Sequence, residues 1–261
     1  MNQKQVAESA KIIWNTWMGS ELIDAIPEHC RPANRSEGYA IQAEVARLSA
    51  QTLFGWKIAA TSKDGQKHIG VDGPLAGRLL SQRVLQSGSS LVIGKNLMQV
   101  AEAEFAFRMG KALPARADEY SVEEVLAAVD TLHPAIEIPD SRYRDFVSVG
   151  APQLIADNAC ACWFVIGPEV KADWRSIDLA KHPVTTWRNG GLTAQGIGAN
   201  VLGDPRVALT WIANELSTQN IGLKAGETVT TGTCVVPQAI APGDSIRADY
   251  GDLGSVSVEI R

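Results

Sequence analysis

The stretch VAEAEFAFRM, residues 100–109, places two glutamates inside an otherwise apolar run. On a strand, residues two apart point to the same face, so Glu102 and Glu104 would stand side by side, about 7 Å apart at Cα. Ala101, Ala103, Phe105 and Phe107 would take the opposite face. Val100 and Ala106 continue the glutamate face, which is therefore not polar throughout. In isolation such a pair reads as the wet face of a strand. Two adjacent like charges repel, however, and burying either without a counter-charge is costly. A divalent cation removes both costs. Oxygen ligands at this spacing suit Mg2+, Mn2+ or Ca2+ and not a thiolate-seeking metal.

A third carboxylate extends the pattern. Glu137 lies in HPAIEIP between Ile136 and Ile138. Alone it reads as a paired structural carboxylate; with Glu102 and Glu104 it makes three embedded glutamates on two strand-like segments. Such a set leaves coordination positions open for water or a chelating substrate. Lys57, in FGWKIAAT, is the only charge in its apolar segment. A snorkelling or salt-bridged lysine is the ordinary reading of such a place. Desolvation there would lower its pKa and make it a usable acid, base or electrostatic clamp. His133, a lone histidine before Pro134, reads as structural.

Bulk properties narrow the function. The chain has 261 residues, 45% hydrophobic and 20% charged, with a net charge of −5. That composition is globular, and the acidic balance excludes a general nucleic-acid binder. Anionic substrates stay open, because a local metal or lysine overrules the global sign. The N-terminal MNQKQVAESAKII has no apolar signal core, and no apolar run approaches a membrane span. No membrane partner is expected, and the expected compartment is cytoplasmic. Cys30, Cys160, Cys162 and Cys234 suit reduced, buried thiols. The Cys160–Cys162 pair lacks a second pair at zinc-site spacing.

The pattern along the chain predicts α+β. Residues 1–53 read as helices: Val6, Ala10, Ile13 and Trp17 form one stripe ending at Gly19, and Asn34 with Glu37 resembles a capping box before Ile41, Val45 and Leu48. Strands are predicted at 54–62, 89–93 and 100–107, with a glycine- and proline-punctuated region, IGVDGPLAGRLL, among them. Ser121 and Glu124 form a second capping box, opening a helix with Val122, Val125, Leu126 and Val129 inward. Pro134 and Pro139 are expected to bracket a short strand. Asp204-Pro205 starts a helix to about residue 219 with Leu209, Ile212 and Leu216 inward, and the tail is strand-rich. The expected organisation is a single catalytic unit over 1–261: a helical region, 1–53, then a mixed β core, 54–261.

Six segments, GWKIAATS, IGVDGPLAGRLL, AEAEFAFRM, HPAIEIPDSR, IADNAC and AGETVTTGT with GSVSVEI, occur in this order. In order and spacing the chain resembles the 2-keto-4-pentenoate hydratases and 4-oxalocrotonate decarboxylases of the fumarylacetoacetate hydrolase superfamily, over nearly its whole length. The resemblance implies a mixed β roll with a helical N-terminal region, commonly assembled as a homo-oligomer. It implies that Glu102, Glu104 and Glu137 hold Mg2+ or Mn2+ and that Lys57 stands near the substrate. Thr61, Ser62, Asp157, Asn158, Thr231 and Gly232 match positions at or near the pocket.

The implied activity is a divalent-metal lyase adding water to a 2-hydroxy-2,4-dienoate to give a 4-hydroxy-2-keto acid. Decarboxylation of a 4-oxalocrotonate-type dicarboxylate is the alternative. An inactive member that binds a partner enzyme is the alternative of another class. One position departs: hydratases of the family usually carry an acid directly after the proline of GVDGPLAG, where this chain has Leu75. Arg142 and Arg144 are candidates to meet a second substrate carboxylate, though exposed turn arginines are commoner.

Overall fold

The structure is a computed structural model describing residues 1–261. The N-terminal region folds as α1 (Gln3–Gly19) and α2 (Arg35–Ser49). Asn2 caps α1 reciprocally with Gln5. At α2 only half of the expected box forms. Asn34 accepts from the Glu37 N–H, but the Glu37 carboxylate turns to the chain's N-terminal amine and the Ala33 N–H. Ala10, Ile13, Trp17, Ile41 and Val45 pack as one cluster with Leu80, Tyr143 and Ala156, which fastens the helices onto the remainder.

Then follow β1 (Leu53–Ala59), α3 (Lys63–His68), β2 (Leu75–Leu80), β3 (Val84–Gln86), β4 (Ser89–Leu91) and β5 (Val100–Met109). Next come α4 (Val122–Ala128), β6 (Val129–Ile138), α5 (Ala151–Ala156), β7 (Trp163–Ile166), β8 (Pro183–Arg188) and β9 (Gly191–Ile197). The chain ends with α6 (Pro205–Thr218), β10 (Thr228–Thr233), β11 (Gln238–Ala239), β12 (Ser245–Asp249) and β13 (Ser255–Ile260). One sheet runs β2-β1-β10-β5-β6-β7-β3, with β11 also on β5; the other runs β4-β13-β12-β8-β9. Both are mixed: β1 with β10, β3 with β7 and β4 with β13 are parallel pairs among antiparallel ones. This is the expected α+β fold, a mixed β roll fronted by helices. No helix is long and apolar enough to cross a membrane.

The alternation read in VAEAEFAFRM holds. Ala101, Ala103, Phe105 and Phe107 are buried in the main core with Ile246, Ala248, Val256 and Val258 of the second sheet. Phe105 meets Tyr250 edge-on at 5.1 Å. The Tyr250 hydroxyl reaches the backbone carbonyls of Glu104 (2.8 Å) and Ala135 (3.1 Å), which face each other across β5 and β6. The second sheet thus braces the strands that carry the glutamates.

Several expectations are corrected. Leu75–Leu80, inside the punctuated region, is a full strand paired with β1. Pro134 lies within β6, opposite Phe105, and does not begin a strand. In an antiparallel ladder a residue's N–H and C=O point to the same side. Pro134's carbonyl accepts from Gly167 N (2.8 Å), so its missing donor faces the side where β7 has already ended at Ile166. The strand therefore loses no internal ladder bond there. Val129, expected on the inner face of α4, instead begins β6, with no loop between. The β8–β9 hairpin was not anticipated, because β9 exposes most of its residues and lacks an apolar face.

Tyr250→Phe removes one buried donor serving the two ligand strands. The expected loss is about 1–3 kcal/mol of unfolding free energy by urea denaturation, with the fold retained.

Candidate metal and substrate site

Four neighbouring strands of the larger sheet build one charged cluster. Glu102 on β5 stands directly opposite Glu137 on β6, and Lys57 on β1 lies beside Thr230 on β10. Carboxylate oxygens of Glu102, Glu104 and Glu137 all lie within 4.8 Å of one another. Glu104 and Glu137 are 0% exposed and Lys57 is 2% exposed, so water does little to separate their charges.

Each group is oriented differently. Glu104 Oε2 accepts from Thr230 Oγ1 (2.5 Å) and from the Gly232 N–H (2.8 Å). Both reach one oxygen because β10 shifts register between Thr230 and Thr233. Gly232 has φ +104°, and a Cβ there would lie 2.2 Å from Thr61 Oγ1, so only glycine lets Thr61 approach. Lys57 Nζ faces Glu137 Oε2 at 3.1 Å and donates to the Ala159 carbonyl at 3.0 Å. Gly77, opposite Lys57 on β2, makes room for the lysine stem: a Cβ would lie 3.0 Å from Lys57 Cγ and Cδ.

The charges do not balance. Burial, followed by repulsion from Glu137, holds the Glu102 carboxyl up at about 7. Burial, with Glu102 next, does the same to Glu104. Burial raises Glu137 to about 8 although Lys57 opposes it. For Lys57 the expected direction is reversed. Burial does push it down, but Glu137 and Glu102 pull it up further, so it stays an ammonium.

The donor set fits a hard divalent cation. Glu104 Oε1 and both Glu137 oxygens are buried without a hydrogen-bond donor, Oε2 of Glu137 having only its ion pair with Lys57. Buried carboxylate oxygens are seldom left so, and carboxylate oxygens are the ligands Mg2+ takes.

The other sequence-predicted positions are placed as follows. Thr61 is buried against Gly232, whose N–H donates to Glu104. Ser62 is exposed and caps α3, accepting from Gly65 N. Thr231 turns its hydroxyl to the Phe105 carbonyl. Asp157 is buried and accepts from Ser141 Oγ (2.8 Å), Arg142 N (2.9 Å) and the Arg142 guanidinium. Asn158 spends its side-chain amide on both backbone groups of Arg78. Sequence reasoning missed Thr230, Gly77 and the Ala159 carbonyl. Thr230 sits one residue before the predicted Thr231, and the bulge that decides between them leaves no compositional signal.

Of the two candidate arginines, Arg142 is 2% exposed and paired with Asp157, so it is not free for a second substrate carboxylate, and Arg144 lies on the surface beside Asp24. Leu75 is buried opposite Ala59, on the face of β1 and β2 that carries Lys57. Asp72 points outward to Arg35 (2.9 Å) and does not replace the missing acid. His133 bonds Thr131 and the Gly167 carbonyl, as a structural histidine does. All four cysteines are free and buried. Burial pushes Cys160 and Cys162 up to about 12, which leaves them inert.

A two-sheet mixed roll with a lysine and three carboxylates gathered on one sheet face is an arrangement that could hold an oxygen-ligated metal ion. The chain belongs to the fumarylacetoacetate hydrolase family: residues 79–261 match its fumarylacetoacetate (FAA) hydrolase C-terminal region. It is 32% identical to the 2-hydroxyhexa-2,4-dienoate hydratase of Comamonas testosteroni, over 99% of both chains. It is 30% identical to the 4-oxalocrotonate decarboxylase of Pseudomonas putida, over 98% of this chain and 97% of that one. Among solved structures it matches the 4-oxalocrotonate decarboxylase from Pseudomonas putida G7, complexed with magnesium and adipate. The TM-score is 0.90 at 28% identity, over 100% of this chain and 99% of that one.

Carboxyls held up at about 7 to 8 stabilise the metal-free fold while protonated, and that contribution is lost as pH rises from about 4.5 through 8. A cation reverses the cost by pairing the ionised forms. The rise in melting temperature on adding Mg2+ is therefore expected to be small at pH 5 and large at pH 8. Glu104→Gln should remove most of it at either pH, as read by scanning fluorimetry.

Proposed function

We propose that this chain is a divalent-metal-dependent hydro-lyase acting on a 2-hydroxy-2,4-dienoate of the 2-keto-4-pentenoate type. The observation that carries the reading is the set of unpartnered buried carboxylate oxygens facing a buried ammonium. A bound Mg2+ or Mn2+ would be held by Glu102, Glu104 and Glu137 and would supply Lewis-acid stabilisation to a 2-keto acid.

The protein's own residues do the rest. Lys57, its Nζ held 3.1 Å from Glu137 and 3.0 Å from the Ala159 carbonyl, is the cation at the cluster and would act as an electrostatic clamp on substrate and as a relay for protons. In the reaction, a proton is delivered to C5 of the dienol as the C2 hydroxyl loses its own, giving the 2-keto-3-enoate. Water then adds its oxygen to C4 and a proton to C3. Thr61, buried beside Gly232, would help orient substrate. The buried surroundings keep bulk water from competing for the charges.

The buried pairing of Arg142 with Asp157 takes that candidate away from a distal carboxylate, which favours a monocarboxylic dienoate. The second reading, decarboxylation of a 4-oxalocrotonate-type dicarboxylate, is favoured by one observation. Leu75 sits on the face of Lys57 where an acid would help deliver water, and loss of CO2 needs no such acid. The proposal includes a cytoplasmic homo-oligomer, in which association with another enzyme of the same catabolic route is open to a mixed-complex pull-down.

With Mg2+, the purified chain is expected to bleach the absorbance of a monocarboxylic 2-hydroxydienoate, and EDTA to stop it. Product analysis should find a 4-hydroxy-2-keto acid; CO2 release from a dicarboxylic dienoate instead would establish the second reading. Lys57→Ala should lower kcat/KM by about a hundredfold or more. Near-normal turnover in that variant would remove the lysine from the mechanism.

A further inference from the structure

Lys57 is aimed by a segment far from it in sequence. Asn158, Ala159 and Cys160 have φ of +56°, +50° and +60°, three consecutive left-handed residues of which none is glycine. Left-handed backbone is disfavoured for residues with a Cβ and persists where its surroundings over-determine it.

The surroundings do so here. Before the turn, the Asp157 carboxylate accepts from Ser141 Oγ and from the Arg142 backbone and guanidinium. That guanidinium also donates to the carbonyls of Asp157 and Ala161, so it straddles the turn. In the middle, the Asn158 amide donates to Arg78 O (2.8 Å) and accepts from Arg78 N (2.7 Å), as a neighbouring strand would. After it, the Cys160 carbonyl accepts from Asp140 N at 2.9 Å. Gly77 closes the stack: a Cβ there would meet Asn158 O at 2.4 Å and the Lys57 stem at 3.0 Å. The product is one buried carbonyl, Ala159 O, that accepts from the Lys57 ammonium.

We propose that the left-handed turn Asn158–Cys160 is a positioning device for Lys57, with Asp157 and Asn158 as its positioning residues. Glu137, the ammonium's other partner, is shared with the proposed cation, so the Ala159 carbonyl is the fixed point that holds Nζ in place beside the carboxylates. Asp157 and Asn158 act through that carbonyl and need not touch substrate. The kinetic part of this inference rests on the lyase reading; the geometric part does not.

The test uses Asn158→Gly and Ala159→Gly, which keep the left-handed backbone accessible and remove what rigidifies it. Both should fold, by circular dichroism and melting temperature. Mg2+ affinity by calorimetry should stay within about threefold of wild type, because the carboxylates are untouched. Lys57 labelling by acetic anhydride, read by mass spectrometry, should speed up by about tenfold, and kcat should fall by about tenfold with KM little changed. Asn158→Asp, which keeps an acceptor for Arg78 N, should recover part of both effects. Wild-type labelling and kcat in both glycine variants would overturn the proposal. So would a parallel loss of kcat, Mg2+ affinity and melting temperature, which marks a merely structural turn. If the wild type turns over no dienoate, the lyase reading fails, and the labelling rates alone decide the inference.

Discussion

Three carboxylates and one ammonium share one sheet face, Glu104, Glu137 and Lys57 buried and Glu102 half-buried, and the excess negative charge has no protein partner. Most of what surrounds them answers that imbalance. Thr230 Oγ1 and the Gly232 N–H partly neutralise Glu104, and Lys57 partly neutralises Glu137. Burial removes water as the third source of relief, which makes the site a strong attractor for a doubly charged ion. Like charges cannot be held this close on mobile elements. They lie on the central strands β5 and β6, which the second sheet supports from behind through Phe105 and Tyr250.

Lys57 and Leu75 stand on one face of the adjoining strands. One brings a buried ammonium 3.1 Å from Glu137 and the other an apolar side chain. With Asp72 turned outward to Arg35, Lys57 is the one charged side chain that β1 and β2 bring to this face.

The parts of the fold legible in the sequence were those with a clean period or a local cap. The two faces of β5, the stripe of α1, the Ser121–Glu124 box and the Asp204-Pro205 start of α6 all appear as read. Glu137 was legible because a lone charge between two isoleucines demands a partner. Strand β2 was hidden by the glycine that gives Lys57 its room, and β9 by its exposure on both sides. The choice between Thr230 and Thr231 turned on a bulge, which depends on long-range pairing. Asp157 and Asn158 could be marked as near the site, but their commitments to Arg142 and to the backbone of Arg78 come from tertiary contacts alone. The direction of Lys57 was misread because desolvation was weighed before the number of opposing carboxylates was known.

The register that sets Glu102 against Glu137 has a consequence for how the chain reaches its native state. A strand that slips by one residue turns every side chain to the other face. On β5 such an error would drive Glu102 and Glu104 into the layer occupied by Phe105 and Tyr250 and bring Phe107 out among the charges. The charges of β5 and β6 therefore fix the register of this strand pair as firmly as its apolar face does, since the slipped pairing would bury carboxylates against aromatic rings.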